Sequence, residues 1–174
     1  MLSREDNKYR LIYFDESGFS STPPVQNGWG PRGQPHRVEP KPHCRRSVLG
    51  ALDFSANTLS HKIIEQNVTR KEVVDFLEDI AQKGEQRYTF VVLDNASIHH
   101  GIEQETLKRW FVENNMVLLY LPAYSPELNL IEIVWKQAKY HWRRLVTWSK
   151  QTINTEINRL LSSYGNIFAV NFSR

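Results

Sequence analysis

Two short runs limit what this chain can fold into: residues 9–15, YRLIYFD, and residues 87–94, RYTFVVLD. Each is apolar, rich in β-branched and aromatic side chains, and ends on an aspartate, so each reads as a buried strand. The second is nearly continuous in its hydrophobicity. Both of its faces must be covered, which puts it at the centre of a sheet.

The segments around these runs supply the rest of the sheet and its helices. Residues 45–54 and 57–66 read as two strands, and the two residues between them leave room only for a tight antiparallel hairpin. Residues 16–43 are dense in Gly, Pro, Ser and Asn and read as a long loop. A helix is predicted over 69–83, where Thr69 and Glu72 match a capping box and Val73, Phe76, Leu77, Ile80 and Ala81 form one apolar stripe. Gly84 stands where a glycine after a helix belongs. Further helices are expected over 102–114, 130–145 and 150–164, with a strand at 116–121. The helix over 102–114 carries Leu107, Trp110 and Phe111. The one over 130–145 carries Ile131, Val134, Ala138, Trp142 and Leu145 as its stripe. The last is capped by Ser149 and closed by Gly165, with Ile153, Ile157, Leu160 and Tyr164 inward. Three strands followed by αβαβα describe an α/β fold with a mixed sheet flanked by helices. Helical crossovers make the strand at 87–94 parallel to its neighbours.

At 174 residues the chain is one domain, 1–174, large enough to bury roughly 70% of the surface its unfolded form exposes. One cysteine, Cys44, excludes a disulfide framework and an all-cysteine metal site. That usage fits a reducing cytoplasm. Residues 1–10 lack the apolar core of a signal peptide, and no run reaches the roughly 20 apolar residues of a membrane span. A net charge of +3 permits an anionic partner without requiring one.

The chemistry is expected where the two aspartate-ending strands lie side by side. Asp15 and Asp94 would then emerge at one edge of the sheet, a usual place for a site in such folds. Two carboxylates that close do not both stay ionised without a cation. Glu132, early in the helix after the last strand, would complete an oxygen-rich set suited to Mg²⁺. Two such ions, roughly 3.5–4 Å apart, activate the attacking oxygen and stabilise the leaving one in a phosphoryl displacement. Each acid also has a structural reading. A strand-ending aspartate often serves a turn. Glu132 fits an N-x-x-E capping box with Asn129, or an ion pair with Lys136. Spacing alone does not choose between these readings.

Other acids fit less well. Glu16 follows Asp15 and so points to the opposite face, Asp53 has no evident partner, and Glu127 belongs to a turn. Glu132, Lys136, Lys139 and Arg143 share one helix face, either a solvated face or a strip that tracks phosphates toward the acids. The basic stretch Arg32, Arg37, Lys41, His43, Arg45 and Arg46, with Trp29, is a candidate DNA contact. His99 and His100 lack a second ligand cluster for zinc. They are expected to pack or hydrogen-bond near Asp94, or to touch DNA.

Three segments, FDESGF (14–19), VVLDNASIHHG (91–101) and LPAYSPELNLIEIVW (121–135), together resemble the catalytic domain of DDE transposases. The likeness is to the bacterial insertion-sequence-630 type of the mariner superfamily, and NGWGPRGQ (27–34) is similar to a W-x-x-x-G loop there. The resemblance runs through nearly the whole chain in order. It implies an RNase H-like, retroviral-integrase-like fold of five strands, the first and fourth adjacent. It implies Asp15, Asp94 and Glu132 as catalytic, metal-binding residues for two Mg²⁺ or Mn²⁺ ions. The implied activity is cleavage at the transposon's terminal inverted repeats, followed by 3′-hydroxyl strand transfer into target DNA.

The resemblance further implies a homodimer in the reacting complex and a place at the bacterial nucleoid, away from membranes. Two departures stand out. Leu130 occupies a position usually held by proline, and the upstream helix-turn-helix domain that such relatives carry is expected to be absent. The chain is accordingly expected to be a split-frame product that works with a separately encoded or frameshift-fused subunit, a truncated remnant, or a catalytic fragment. Two further readings remain: a catalytically silent DNA-binding remnant, or an RNase H-like nuclease without strand transfer. A haloacid-type phosphatase is excluded, because Ser17 stands where its second acid is needed.

Overall fold

The computed structural model describes residues 8–21, 44–84, 87–143, 149 and 151–172. Trp29, Arg32 and Arg37 lie outside them, as do Lys41, His43, Leu145 and the side chain of Arg143. Five strands, β1 (Tyr9–Ser20), β2 (Arg45–Asp53), β3 (Thr58–Ile64), β4 (Tyr88–Leu93) and β5 (Met116–Tyr120), form one mixed sheet in the order β3-β2-β1-β4-β5. Four helices cover it: α1 (Arg70–Gln82), α2 (Gln104–Asn114), α3 (Ile131–Arg143) and α4 (Ile153–Ser162). β4 runs parallel to both β1 and β5, and β2 runs antiparallel to β1 and β3. The first and fourth strands are neighbours, as expected.

β1 is longer than its sequence suggests. It spans 12 residues against 6 for β4, so the two part company. Their parallel pairing ends at Tyr13↔Val92, while β1 stays paired with β2 as far as Ser20↔Arg45. Residues 16–20, whose Ser and Gly suggest a loop, alternate in burial as a strand does, with Ser17 and Phe19 inward. Asp15 therefore sits within a strand, just past the point where β1 and β4 diverge.

The alternation of β1 sends its side chains to two separate cores. Ile12 and Phe14 pack with Leu49, Val73, Phe76, Leu77 and Trp110 under α1 and α2. Phe19 packs with Val48, Leu52, Ile131, Trp135 and Ile157 under α3 and α4. Asp15, an odd position like Phe19, faces α3, whereas Glu16 faces the α1 side. Trp135, absent from the predicted stripe, is fully buried. Its ring lies on Gly50, the residue paired with Asp15, where a Cβ would come within 2.4 Å. The bare backbone at Gly50 lets α3 settle against the sheet beside Asp15.

Several expectations change in detail. Phe111 is 61% exposed on α2 and is not a core residue, because the turn of the helix carries Trp110 inward instead. Asp53 has a partner: Arg10 Nε donates to its Oδ2 at 2.7 Å, both groups buried. In the predicted capping box the Glu72 carboxylate accepts from the Thr69 N–H at 2.9 Å. Ser149 and Thr152 exchange hydrogen bonds ahead of α4, with Thr152 at the cap position. No helix among the described residues is long and apolar enough to cross a membrane.

Candidate metal centre

Asp15, Asp94 and Glu132 reach one corner of the sheet from three elements. Asp15 comes from the middle of β1 and is only 8% exposed. Asp94 follows the last residue of β4, its side chain half-exposed. Glu132 is the second residue of α3 and is exposed. Burial pushes the Asp15 carboxyl up to about 7. The charge of Glu132 is the next largest cause, a hydrogen bond from the Glu16 backbone opposes it, and the charges of Glu16 and Asp94 add to it. A buried acid crowded by three others is a place where a cation would be bound favourably.

The structural readings of Glu132 are not realised. Asn129 does not cap α3 with its side chain; its Nδ2 donates to the Phe14 carbonyl at 3.0 Å instead. Its backbone carbonyl accepts from the Glu132 N–H at 3.0 Å. Among the described residues no ion pair joins Glu132 to Lys136, which leaves the Glu132 carboxylate to solvent. Asn129 thus ties the residue before Asp15 to the helix turn that carries Glu132. It is buried, and its Oδ1 has no hydrogen-bond partner among the described residues. Glu127 lies in a short 3₁₀ turn, Pro126–Leu128, and is exposed.

The donors are all carboxylate oxygens, which suit Mg²⁺ or Mn²⁺ rather than a softer ion. Among the described residues no three His, Cys, Asp or Glu side chains stand close enough to cage an ion as they are. A closed cage is not what a small hard cation needs. Mg²⁺ is held by one or two carboxylates, with waters and substrate phosphates completing its shell. Glu132 has the exposure to turn toward Asp15. A cleft of about 460 Å³ opens beside Asp94, lined by Asn95, Pro122, Tyr124 and Ser125, and the Tyr124 ring is fully exposed.

The candidate DNA contacts divide on exposure. His99 packs and bonds beside Asp94, one of its two expected roles, and its reading as a DNA contact is corrected: it is fully buried and has no face to offer a nucleic acid. Its Nδ1 lies 2.6 Å from Asp94 Oδ1, and its Nε2 lies 3.0 Å from Glu16 Oε1. Burial pulls the imidazole pKa down, but the hydrogen bond and charge of Glu16, followed by the Asp94 main-chain carbonyl and charge, outweigh burial and raise it overall. Arg46 is corrected too. It is buried, donates to Asn154 Oδ1 at 2.8 Å and to Cys44 Sγ at 2.9 Å, and so fastens β2 to α4. Arg45 is exposed and lines a groove of about 560 Å³ with Glu16, Ser47 and Glu65. Lys136 is exposed, Lys139 partly so, and Arg143 ends α3. His100 is partly exposed, stacked on Tyr120 with ring centroids 4.6 Å apart.

Glu16, Asn129 and Gly50 contribute to the site although sequence patterns do not single them out for it. Glu16 does point to the far face, as alternation requires, and it is His99 that connects it to Asp94. The signal for Asn129 lies in its position three residues before Glu132, where it reads only as a cap. Gly50 carries no sign in sequence, because its role depends on the distant Trp135.

The fold is that of RNase H-like transposase and integrase catalytic domains. The chain is similar to the Mos1 strand transfer complex, with a TM-score of 0.67 at 15% identity over 92% of this chain and 49% of that one. It is similar to the Mos1 mariner paired end complex with Mn, with a TM-score of 0.66 at 15% identity over 88% and 48%. The catalytic core domain of HTLV-2 integrase in complex with magnesium gives 0.51 at 9% identity over 94% and 90%. The chain spans about half the length of the Mos1 chains it matches. No curated protein matches it. The family model of the DDE superfamily endonucleases matches residues 10–153, a span that includes all three acids, and the chain belongs to that family.

Proposed function

We propose that the chain is the catalytic domain of a DDE transposase of the bacterial insertion-sequence-630 type. In this reading it cleaves DNA at transposon ends and joins the freed 3′-hydroxyl to target DNA. The observation that carries it is Asp15: a buried acid with no cationic side chain against it among the described residues, its carboxyl raised to about 7 by burial, Glu132, Glu16 and Asp94.

Asp15, Asp94 and Glu132 would hold two Mg²⁺ or Mn²⁺ ions, and the bound metal would supply Lewis-acid activation of the attacking oxygen and stabilisation of the leaving one. The chain's own residues do the positioning. Gly50 and Trp135 set α3 against the sheet, and Asn129 fixes the turn from which Glu132 projects. Arg45, His100, Lys136, Lys139 and Arg143, with Trp29, Arg32 and Arg37, neutralise and orient the DNA backbone. The expected partners are terminal inverted repeats, target DNA, a second copy of the chain in the reacting complex, and a helix-turn-helix module encoded separately or by frameshift fusion. The expected location is the nucleoid of a bacterial cytoplasm.

The test is nicking of DNA carrying the element's ends, with the helix-turn-helix module added. Activity requires Mg²⁺ or Mn²⁺. Asp15→Asn, Asp94→Asn and Glu132→Gln each lower it at least ~10³-fold, the scale of several kcal/mol of charge stabilisation. Glu127→Gln leaves it intact. Cleavage without a divalent ion would sink the mechanism, and loss at Glu127 but not Glu132 would replace the third ligand.

A further inference from the structure

His99 is a buried residue whose two ring nitrogens both face carboxylates, an arrangement more specific than packing requires. It ends a 3₁₀ turn, Ser97–His99, just beyond β4. Its ring meets Phe14 edge-on at 5.3 Å, and its main-chain carbonyl accepts from the Tyr120 hydroxyl at 2.9 Å. The ring is therefore held from several sides. Its Nε2 stands 3.0 Å from both oxygens of Glu16, and its Nδ1 stands 2.6 Å from Asp94 Oδ1 and within hydrogen-bond reach, 3.3 Å, of the Asp94 main-chain carbonyl. A line of contacts thus runs from the α1-facing side of β1 to the acid at the end of β4.

The choice of oxygen at Asp94 matters. The Ala96 N–H also donates to Oδ1, at 3.0 Å. Both contacts of the Asp94 carboxylate among the described residues therefore fall on Oδ1. Rotation about the last side-chain bond would break both at once, so Oδ2 keeps one direction. A carboxylate with one oxygen engaged by the protein and the other open is the form in which second-sphere hydrogen bonds orient a metal ligand.

We propose that His99 is a positioning residue that, held from behind by Glu16, pins Asp94 Oδ1 and so presents Oδ2 to a divalent cation. The inference rests on the reading of Asp94 as a metal ligand. Glu16 is then part of the site although it faces away from it: it fixes the imidazole, and the imidazole fixes the aspartate.

The experiment is a Mn²⁺ titration of the full chain by calorimetry or electron paramagnetic resonance, alongside nicking at low and saturating Mn²⁺. The proteins are the parent, Asp94→Asn, His99→Ala, His99→Asn and Glu16→Gln. His99→Ala weakens the Mn²⁺ Kd about 10–100-fold, the usual size of a second-sphere loss, and its activity partly returns at saturating Mn²⁺. His99→Asn, whose amide N–H stands near the position of Nδ1–H, keeps an affinity closer to the parent. Glu16→Gln falls between parent and His99→Ala. A purely structural role for His99 would lower the melting temperature and leave Kd unmoved.

The inference is overturned if His99→Ala and Glu16→Gln bind Mn²⁺ as the parent does. Should His99→Ala fail to fold by circular dichroism, Glu16→Gln decides on the same Kd, its side chain being only partly buried. If Asp94→Asn weakens binding while neither second-sphere variant does, this inference falls and the metal reading stands. If the parent binds no Mn²⁺ that Asp94→Asn removes, both fall together.

Discussion

Asp53 and Asp15 lie on paired central strands and are equally hidden, 6% and 8% exposed, yet the protein treats them in opposite ways. Asp53 accepts from Arg10 Nε at 2.7 Å and from the Ser55 and Ala56 N–H groups at 3.1 and 3.0 Å. Arg10 in turn donates to the Ile80 carbonyl at 3.2 Å. That is a buried charge with its partners built in, and it closes the β2–β3 hairpin onto β1. Asp15 has no such cation among the described residues, and its near charges are Glu132, Glu16 and Asp94. A fold able to bring an arginine to one buried aspartate has left the other crowded by acids. The difference separates an acid that stabilises the fold from one held ready for a cation arriving from solution.

Removing the cation from the satisfied acid is the strongest way to break this contrast. Arg10→Met leaves Asp53 buried without its charge partner, and such losses cost about 3–5 kcal/mol. Urea denaturation should register this as a fall in midpoint, while metal affinity per folded molecule stays at the parent value. A loss under about 1 kcal/mol would mean that Asp53 is not a structural acid, and the two sites would no longer differ in kind.

The opposite sign is expected at Asp15. Its folded pKa, about 7, stands above the ordinary 3.8. As pH rises the unfolded chain gives up this proton first, so metal-free stability falls between about pH 4 and 7 and stays lowered above that. Asp15→Asn should therefore stabilise the metal-free protein at pH 8, by about 1–3 kcal/mol once partial hydration is allowed for. The gain should vanish at about pH 4. Thermal melts of parent and variant at the two pH values, without divalent ions, check this. A variant less stable than the parent at the higher pH would show that the Asp15 charge is already compensated.

Much of this contrast is legible in the amino-acid sequence, and the part that is not has a common cause. The two aspartate-ending apolar runs, the stripe of α1 and the parallel crossovers are local patterns that suffice for a mixed sheet, whereas the adjacency of the strands bearing Asp15 and Asp94 comes from the family resemblance. Asp53 looks partnerless in sequence because Arg10 is 43 residues away. Arg46 resembles a DNA contact because its stretch is basic, whereas Asn154, 108 residues on, draws it inward. His99 is legible in part: it meets Asp94 as expected, but Glu16 and Phe14 bury it and remove the alternative of a DNA contact. Periodicity reports which face a residue takes, and it is silent about which distant group meets it there.

Asn129 links the two kinds of residue, since it is built into the fold and serves the site. Asn129→Ala removes the 3.0 Å bond to the Phe14 carbonyl and leaves that buried acceptor unpaired, which costs about 1–3 kcal/mol. Mn²⁺ affinity should fall with it, because Glu132 loses its anchor to β1. Stability loss with unchanged affinity would assign Asn129 to the fold alone.

The smallest effects are expected at the neighbouring arginines, where the same division recurs one residue apart. Arg45 is exposed beside the groove that Glu16 lines, whereas Arg46 is bonded to Asn154 and Cys44. If Arg45 touches a phosphate, Arg45→Ala reduces the slope of log K against log salt for duplex binding by about 0.9, one released counterion. Arg46→Ala leaves that slope unchanged and lowers stability by about 1 kcal/mol, the value of a typical buried hydrogen bond. Fluorescence anisotropy at several salt concentrations, paired with thermal melts, separates the two. Were Arg46→Ala to change the salt slope while Arg45→Ala did not, the partition by burial would be reversed at this edge.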